Sequence, residues 1–191
     1  MKYIYGEDIK YGYDLIKPND FEKLQIFTCG NNALDNYIHN ELISNNVVNS
    51  NDGLPFKVWN NFNNEIIAIF SLASSGIIYS VDNYTHVLPA LKIDIFAVDV
   101  KYQKLHIDEA SKSSNNSNEH YYLSDSILNR VIEFCRNISE TKAIAKYIVL
   151  YADKNARRFY ERNLFVDFSD FMIAESNMEI MANDPMYIVL D

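Results

Sequence analysis

Residues 145–151, which read AKYIVLY, are apolar along almost their whole length. A strand with this pattern is covered on both faces, as strands are at the centre of a sheet packed against helices. Upstream, apolar side chains recur with a helical spacing at Leu123, Ile127, Leu128, Val131, Ile132 and Cys135. The two patterns predict an amphipathic helix, capped by Ser124 or Asp125, that leads into a buried strand.

Weaker patterns predict the other elements. Residues 31–43 carry a helical stripe with an asparagine cap, and 156–163 form a short helix. Strands are predicted at 56–59, 66–73, 93–99 and 186–190, with the first two paired as a hairpin. Pro89 is expected to bound the third strand, and 79–91 to form a loop. The alternation of helices and strands along the chain predicts a mixed α/β (α+β) fold, with a single central mixed sheet and helices on both faces.

Length and charge narrow the class of protein. The chain has 191 residues, which suits one domain, with a polar insertion expected at about 108–121. Its 17 basic residues are outnumbered by 26 acidic ones, for a net charge of −9. This balance argues against a large nucleic-acid interface, because phosphate contacts need clustered cations. The sequence shows no signal peptide or membrane span, so a cytoplasmic protein is expected.

Several kinds of catalytic site are excluded by their missing motifs. The sequence contains no HExxH, no GxxxxGK[ST], no GxSxG and no metal-spaced group of cysteines and histidines, so no metal is expected. The two cysteines, Cys29 and Cys135, are too far apart for a CxxC motif. Cys29 is either a thiol nucleophile or a buried structural cysteine, and the latter is favoured because no partner histidine is evident.

Four segments, in chain order, carry a resemblance to a known family. Residues 27–38 read FTCGNNALDNYI, 96–103 read FAVDVKYQ, 156–165 read ARRFYERNLF, and 183–187 read NDPMY. Together they resemble the GNAT family of N-acetyltransferases. The first segment is similar to the opening of the branch that includes acetyltransferase toxins acting on aminoacyl-tRNA.

The resemblance implies a single GNAT-like domain over 1–191 that uses acetyl-CoA as cosubstrate. The pantetheine amides would pair with the backbone of Phe96, Ala97 and Val98. The pyrophosphate would lie at the start of the predicted long helix, where free N–H groups favour an anion. The remaining implied cofactor-binding residues are Gln103, Leu123, Ser124, Asp125, Asp153 and Ala156. Tyr160 takes the position of the general acid that protonates the departing thiolate.

The sequence departs from the family pattern at the phosphate loop. No glycine follows Gln103 directly, so the preferred alignment treats residues from 104 to about 120 as an insertion and sets 122–124 against the family's G-x-G. Leu164 replaces a family glycine, and Asp153 stands where an asparagine is common. For the general base, Asp94 and Glu65 are positional candidates, and deprotonation through water is equally open.

The function expected from these observations is transfer of an acetyl group from acetyl-CoA to a primary amine of a small molecule or protein. One alternative is a catalytically weak GNAT-like binding module. Another is a GNAT toxin that acetylates aminoacyl-tRNA. A nucleic-acid or membrane partner is not expected, and a homodimer stays open.

Overall fold

The computed structural model describes residues 10–42, 53–82, 84–107, 121–142, 144–169 and 182–190. Within these residues the strands are β1 (Tyr11–Leu15), β2 (Leu54–Asn60), β3 (Ile66–Val81), β4 (Tyr84–Val98), β5 (Tyr147–Ala152), β6 (Val166–Asp167) and β7 (Asp184–Val189). They form one sheet in the order β1-β2-β3-β4-β5-β7-β6. The pair β4–β5 is parallel, whereas β1–β2, β2–β3, β5–β7 and β6–β7 are antiparallel. The predicted mixed sheet is confirmed.

Four α-helices accompany the sheet in the described part of the chain. They are α1 (Phe21–Leu24), α2 (Asn32–Asn36), α3 (Leu123–Thr141) and α4 (Arg157–Arg162). A 3₁₀ turn at Pro18–Asp20 precedes α1, and a π-helical turn at Tyr37–Glu41 continues α2. None of the helices in the described ranges is long and apolar enough to cross a membrane.

The chain forms two compact units. The first contains residues 1–72 and 95–127, and the second contains residues 73–94 and 128–191. The prediction of a single GNAT-like domain stays a prediction. The predicted polar insertion at about 108–121 lies, apart from Tyr121, outside the described residues.

In the first unit, β1, β2 and β3 pair in sequence order. The β2–β3 register runs from Leu54–Leu72 to Trp59–Ile66, with an irregularity at Val58–Trp59, so the predicted hairpin is confirmed. Apolar side chains from α1, the loop after it, the π-helical turn, β3 and β4 form the core, which includes Leu24, Phe27, Ile38, Ile69, Ile95 and Ala97. The predicted helical stripe supplies part of this core.

In the second unit, β5 lies between two strands. It pairs in parallel with β4 from Ala90–Tyr147 to Ile93–Leu150, and antiparallel with β7 along its whole length. Ile148, Val149 and Leu150 are all buried. Successive residues of a strand point to opposite faces, so consecutive buried residues confirm the prediction of a strand covered on both sides.

The expectation of a loop over residues 79–91 is wrong, and so is the boundary at Pro89. β3 continues to Val81 and β4 begins at Tyr84, so the region is strand apart from a tight turn. β-Branched and aromatic residues continue through it and favour strand structure. Asp82 supplies the positive φ of 49° that short hairpin turns need. Pro89 lies inside β4, and its carbonyl accepts the N–H of Lys146 at 3.1 Å.

Candidate active site

The end of β4 belongs to the first unit and carries three of the predicted cofactor residues. Ala97 and Val98 are buried, and Phe96 is half-buried. The parallel ladder with β5 ends at Ile93–Leu150, whereas β4 continues to Val98. The peptide groups of residues 96–98 therefore lie beyond that ladder.

Asp99 fixes the chain where β4 ends. Its carboxylate is 2% exposed and accepts the backbone N–H of Lys101 at 2.9 Å and that of Thr28 at 3.4 Å. Its own N–H donates to the carbonyl of Ile67 at 2.8 Å. The Val100 N–H in turn donates to the Thr28 carbonyl at 2.9 Å. These bonds join the end of β4 to the segment that precedes α2.

Gln103 adds a second connection between the same two segments. Its Nε2 atom donates to the carbonyl of Val98 at 2.9 Å and to the carbonyl of Cys29 at 2.7 Å. The structure thus joins two predicted cofactor residues, Val98 and Gln103, by a hydrogen bond.

The motif at residues 27–38 has a structural role that the sequence analysis did not assign. Asp35 accepts the hydroxyl of Thr28 at 2.7 Å and the N–H of Cys29 at 2.8 Å. Partial burial raises the pKa of Asp35, but these hydrogen bonds outweigh it and hold the pKa below the usual value. Gly30 has a φ of +81°, and a Cβ there would lie 3.3 Å from Val100 Cγ1. Asn31 caps α2 by accepting two backbone N–H groups.

The half-buried thiol of Cys29 has little nucleophilic character. Burial, followed by the charge of Asp35, raises the pKa of Cys29 to about 11. The thiol is protonated at neutral pH, and the thiolate is the reactive form. This agrees with the reading of Cys29 as a structural cysteine. Among the described residues, no group of three histidine, cysteine or acidic side chains could hold a metal ion.

The start of α3 carries three more of the predicted cofactor residues, which also belong to the first unit. Leu123, Ser124 and Asp125 are all buried, and the Leu123 N–H donates to the Leu105 carbonyl at 2.8 Å. Asp125 Oδ2 accepts the N–H of Tyr122 at 2.8 Å.

The predicted cap therefore needs correction. Tyr122 precedes the first helical residue, so it holds the N-cap position, and Asp125 acts from the third helical residue. This is the return bond of a capping box, in which an acidic side chain inside the helix accepts the cap N–H. A buried carboxylate thus lies in the helix turn to which the resemblance assigns the pyrophosphate.

Asp153 and Ala156 shape the turn before α4, in the second unit. Asp153 Oδ1 accepts the N–H of Asn155 at 2.8 Å, and the Asp153 carbonyl accepts the N–H of Ala156 at 2.8 Å. The Ala156 carbonyl then accepts the N–H of Tyr160 at 3.3 Å. The structure connects these three predicted site residues through consecutive backbone bonds.

Tyr160 is the predicted general acid and is 7% exposed. Its ring meets Phe159 and Phe165 edge to face, with centroids 5.1 and 5.7 Å apart. Burial, and then the charge of Asp153, raises the pKa of Tyr160. Among the described residues, no hydrogen bond engages its hydroxyl. Tyr160 is therefore a protonated phenol that the described part of the chain does not cap.

Leu164, where the family has glycine, has a φ of 68°. Residues other than glycine rarely adopt this left-handed backbone conformation, because their Cβ atom approaches the backbone too closely. The Asn163 amide, whose Nδ2 donates to the Phe159 carbonyl at 2.8 Å, holds the turn in place. Leu164 thus holds a left-handed turn that a glycine would adopt without strain.

The three arginines of α4 differ in their partners. Arg157 bonds to Glu161 at 2.7 Å, Asp167 at 2.7 Å and Asp184 at 3.2 Å, which joins α4 to β6 and β7. Arg158 and Arg162 are exposed, and Arg162 lies over the Phe159 ring, 5.6 Å from its centroid. The positive charge of Arg157 is thus balanced locally by three carboxylates.

Both candidate bases already have a partner. Asp94 bonds to Lys92 at 2.5 Å in the second unit. Glu65 accepts the hydroxyl of Tyr102 at 2.7 Å in the first unit. Neither contact shows which residue is the general base, so deprotonation of the amine through water stays open.

Comparison with known proteins finds no matching family model and no matching curated protein. Among solved structures, the fold is that of the GNAT-fold toxins. A crystal structure described as a bacterial toxin aligns with a TM-score of 0.68 at 16% identity, over 95% of this chain and 92% of that one. A tyrosine-to-phenylalanine variant of KacT aligns with a TM-score of 0.61 at 12% identity, over 95% of each chain. AtaT complexed with acetyl-methionyl-tRNAfMet gives 0.60 at 11% identity, over 94% of this chain and 95% of AtaT.

Proposed function

We propose that this protein transfers an acetyl group from acetyl-CoA to a primary amine. The observation that carries the proposal is Tyr160, a buried phenol on α4 with no described hydrogen-bond partner for its hydroxyl. The resemblance gives this position the general acid. The fold, shared over almost the whole chain with toxins, one of them described as bound to acetyl-CoA, supports the same reaction class.

The residues of the first unit suit an acyl-CoA through their backbone. Peptide groups of Phe96, Ala97 and Val98 lie beyond the β4–β5 ladder, and pairing with pantetheine amides requires no particular side chain there. Ser124 is the second residue of α3, a helix whose N-terminal dipole favours an anion. Asp125 opposes a pyrophosphate at that end, so we expect modest affinity. In the second unit, the resemblance implies Asp153 and Ala156 as cofactor-binding residues.

In the proposed reaction a neutral amine attacks the thioester carbonyl. A carbon–nitrogen bond forms and the carbon–sulfur bond breaks. The nitrogen gives up one proton to a base or to water, and the sulfur leaves with its electron pair as the CoA thiolate. Tyr160 stays protonated at neutral pH because its pKa is raised, so it can donate a hydrogen bond or its proton to the sulfur. A thiol has a pKa of about 8.5. The phenol is therefore the weaker acid, and we expect it to act chiefly by stabilising the developing thiolate.

Two classes of acceptor remain. An aminoacyl-tRNA amine is favoured by one neighbour, since AtaT is described in complex with acetyl-methionyl-tRNAfMet. The expectation against a nucleic-acid partner therefore finds no support in the comparisons. A small-molecule or protein amine is favoured by the net charge of −9, which opposes a polyanion.

The test is transfer of radiolabelled acetyl from acetyl-CoA to a panel of acceptors. Charged tRNA, uncharged tRNA, polyamines and lysine peptides are assayed with the native protein, with Tyr160→Phe and with a control, Tyr147→Phe. We expect labelling of one amine class by the native and control proteins, and strongly reduced labelling by Tyr160→Phe. Acetyl-CoA binding without transfer to any acceptor would favour the GNAT-like binding module instead.

A further inference from the structure

One side-chain nitrogen joins two backbone segments at the proposed site. Gln103 Nε2 donates to the carbonyls of Val98 and Cys29 at 2.9 and 2.7 Å. A glutamine amide nitrogen carries two protons, and each carbonyl takes one of them. Gln103 therefore has no remaining donor with which to bind a phosphate.

The Cys29 side of this connection is itself held firmly. The Cys29 N–H donates to Asp35, and Thr28 is bonded through its hydroxyl to Asp35 and through its backbone to Asp99 and Val100. Gly30 follows with the positive φ that the turn requires. Gln103 thus connects the end of β4 to the segment of Thr28 and Cys29, which several other hydrogen bonds already hold in place.

The Val98 side of the connection is the strand end proposed to pair with the pantetheine amides. Backbone pairing with a ligand depends on the direction of each peptide group, since hydrogen bonds weaken steeply when misaligned. A bond to the Val98 carbonyl fixes the last peptide groups of β4 before any ligand arrives. Fixing a site in its bound conformation lowers the entropic cost of binding.

We propose that Gln103 is a positioning residue for acetyl-CoA, acting through the Val98 carbonyl rather than touching the cosubstrate. The proposal rests on the proposed function. Arginine, like glutamine, presents at least two N–H donors, whereas methionine, similar in length to glutamine, presents none.

The experiment compares three variants by calorimetric titration with acetyl-CoA and by steady-state kinetics. Gln103→Met and Gln103→Glu remove the donors at nearly constant length, and Gln103→Arg restores them. The control is Gln25→Met, which removes a bond from Gln25 Nε2 to the His39 carbonyl in the same unit. We expect Gln103→Met and Gln103→Glu to raise Kd and KM for acetyl-CoA about 10-fold, with kcat changed less than about threefold.

Gln103→Arg is expected to bind within about threefold of the native protein, as is Gln25→Met. Amide hydrogen exchange at Val100, without ligand, should accelerate in Gln103→Met and not in Gln25→Met. A native-like Kd for acetyl-CoA and a native-like exchange rate at Val100 in Gln103→Met would overturn the proposal. Equal weakening of acetyl-CoA binding in Gln103→Met and Gln103→Arg would also overturn it, because that result would indicate direct contact between Gln103 and the cosubstrate. If the native protein itself fails to bind acetyl-CoA, the proposed function fails and this role with it.

Discussion

Asp125 Oδ2 accepts the backbone N–H of Tyr122 at 2.8 Å, so the first turn of α3 contains a buried carboxylate of its own. A helix N-terminus attracts anions, and here one anion is already supplied by the chain. In the proposed enzyme this carboxylate and the cosubstrate pyrophosphate compete for the same electrostatic field.

Replacing Asp125 separates its structural role from its charge. Asp125→Asn keeps an oxygen that can accept the Tyr122 N–H and removes the charge, so acetyl-CoA affinity should rise about fivefold. Asp125→Ala loses the acceptor as well and should lower the free energy of unfolding by about 1 kcal/mol. Calorimetry and urea unfolding measure the two effects. Equal or weaker binding by Asp125→Asn would show that the charge does not oppose the ligand.

Tyr160→Phe removes only the hydroxyl that the proposed mechanism uses. Turnover should fall roughly 10²-fold, the scale of one lost hydrogen-bond donor to a developing negative charge, while acetyl-CoA affinity stays almost unchanged. Because the pKa of Tyr160 is raised, no loss of activity from its ionisation is expected between pH 7 and about 10. Steady-state rates across this range provide the measurement. Equal turnover in the two proteins removes Tyr160 from the mechanism.

Cys29 should be a poor nucleophile. With a pKa of about 11, its thiolate fraction at pH 7.5 is roughly 300-fold below that of an ordinary thiol. Iodoacetamide should therefore alkylate Cys29 at least about 10-fold more slowly than glutathione, with a rate that rises with pH toward 11. Mass spectrometry of the Cys29 peptide follows the reaction, and Cys29→Ser should retain activity. Rapid alkylation at pH 7.5 would contradict this account.

Leu164→Gly should stabilise the fold. Leu164 is 75% exposed and has a φ of 68°, so glycine relieves backbone strain without losing much packing. We expect the free energy of unfolding to rise by about 1 kcal/mol, partly offset by the greater entropy of glycine in the unfolded chain. Leu164→Ala is the matched control, because it trims the side chain and keeps the strain. A gain in Leu164→Ala equal to that in Leu164→Gly would point to the side chain instead.

Periodicity revealed the elements that bury a regular apolar pattern. α3 was predictable because Leu123 and Leu128 recur on the face that packs. β5 was predictable because Ile148 lies in an almost unbroken apolar run. β1 was not, since its five residues, YGYDL, alternate only weakly and are mostly half-buried. The strand structure of residues 79–91 is not evident from the sequence, since most of their described side chains are exposed and no regular apolar face marks them.

The candidate site was predictable only in part, for a different reason. The assignment of residues 96–98 and Tyr160 to the site rests on the resemblance and stays a prediction. The bonds from Gln103 to the Cys29 carbonyl and from the Thr28 hydroxyl to Asp35 join residues that are distant or unremarkable in the sequence. The spacing of apolar residues does not predict such side-chain hydrogen bonds. The left-handed turn at Leu164 was likewise hidden, because the residue type disfavours it.

Calorimetric titration of the native protein with acetyl-CoA tests the central claim most directly. We expect one acetyl-CoA site per chain with a Kd between about 1 and 100 µM, in the range of common enzyme substrates. Tyr160→Phe should give the same isotherm, because its hydroxyl is assigned to the chemical step. The absence of binding up to about 1 mM acetyl-CoA would contradict the assignment of this chain as an acyl-CoA-dependent acetyltransferase.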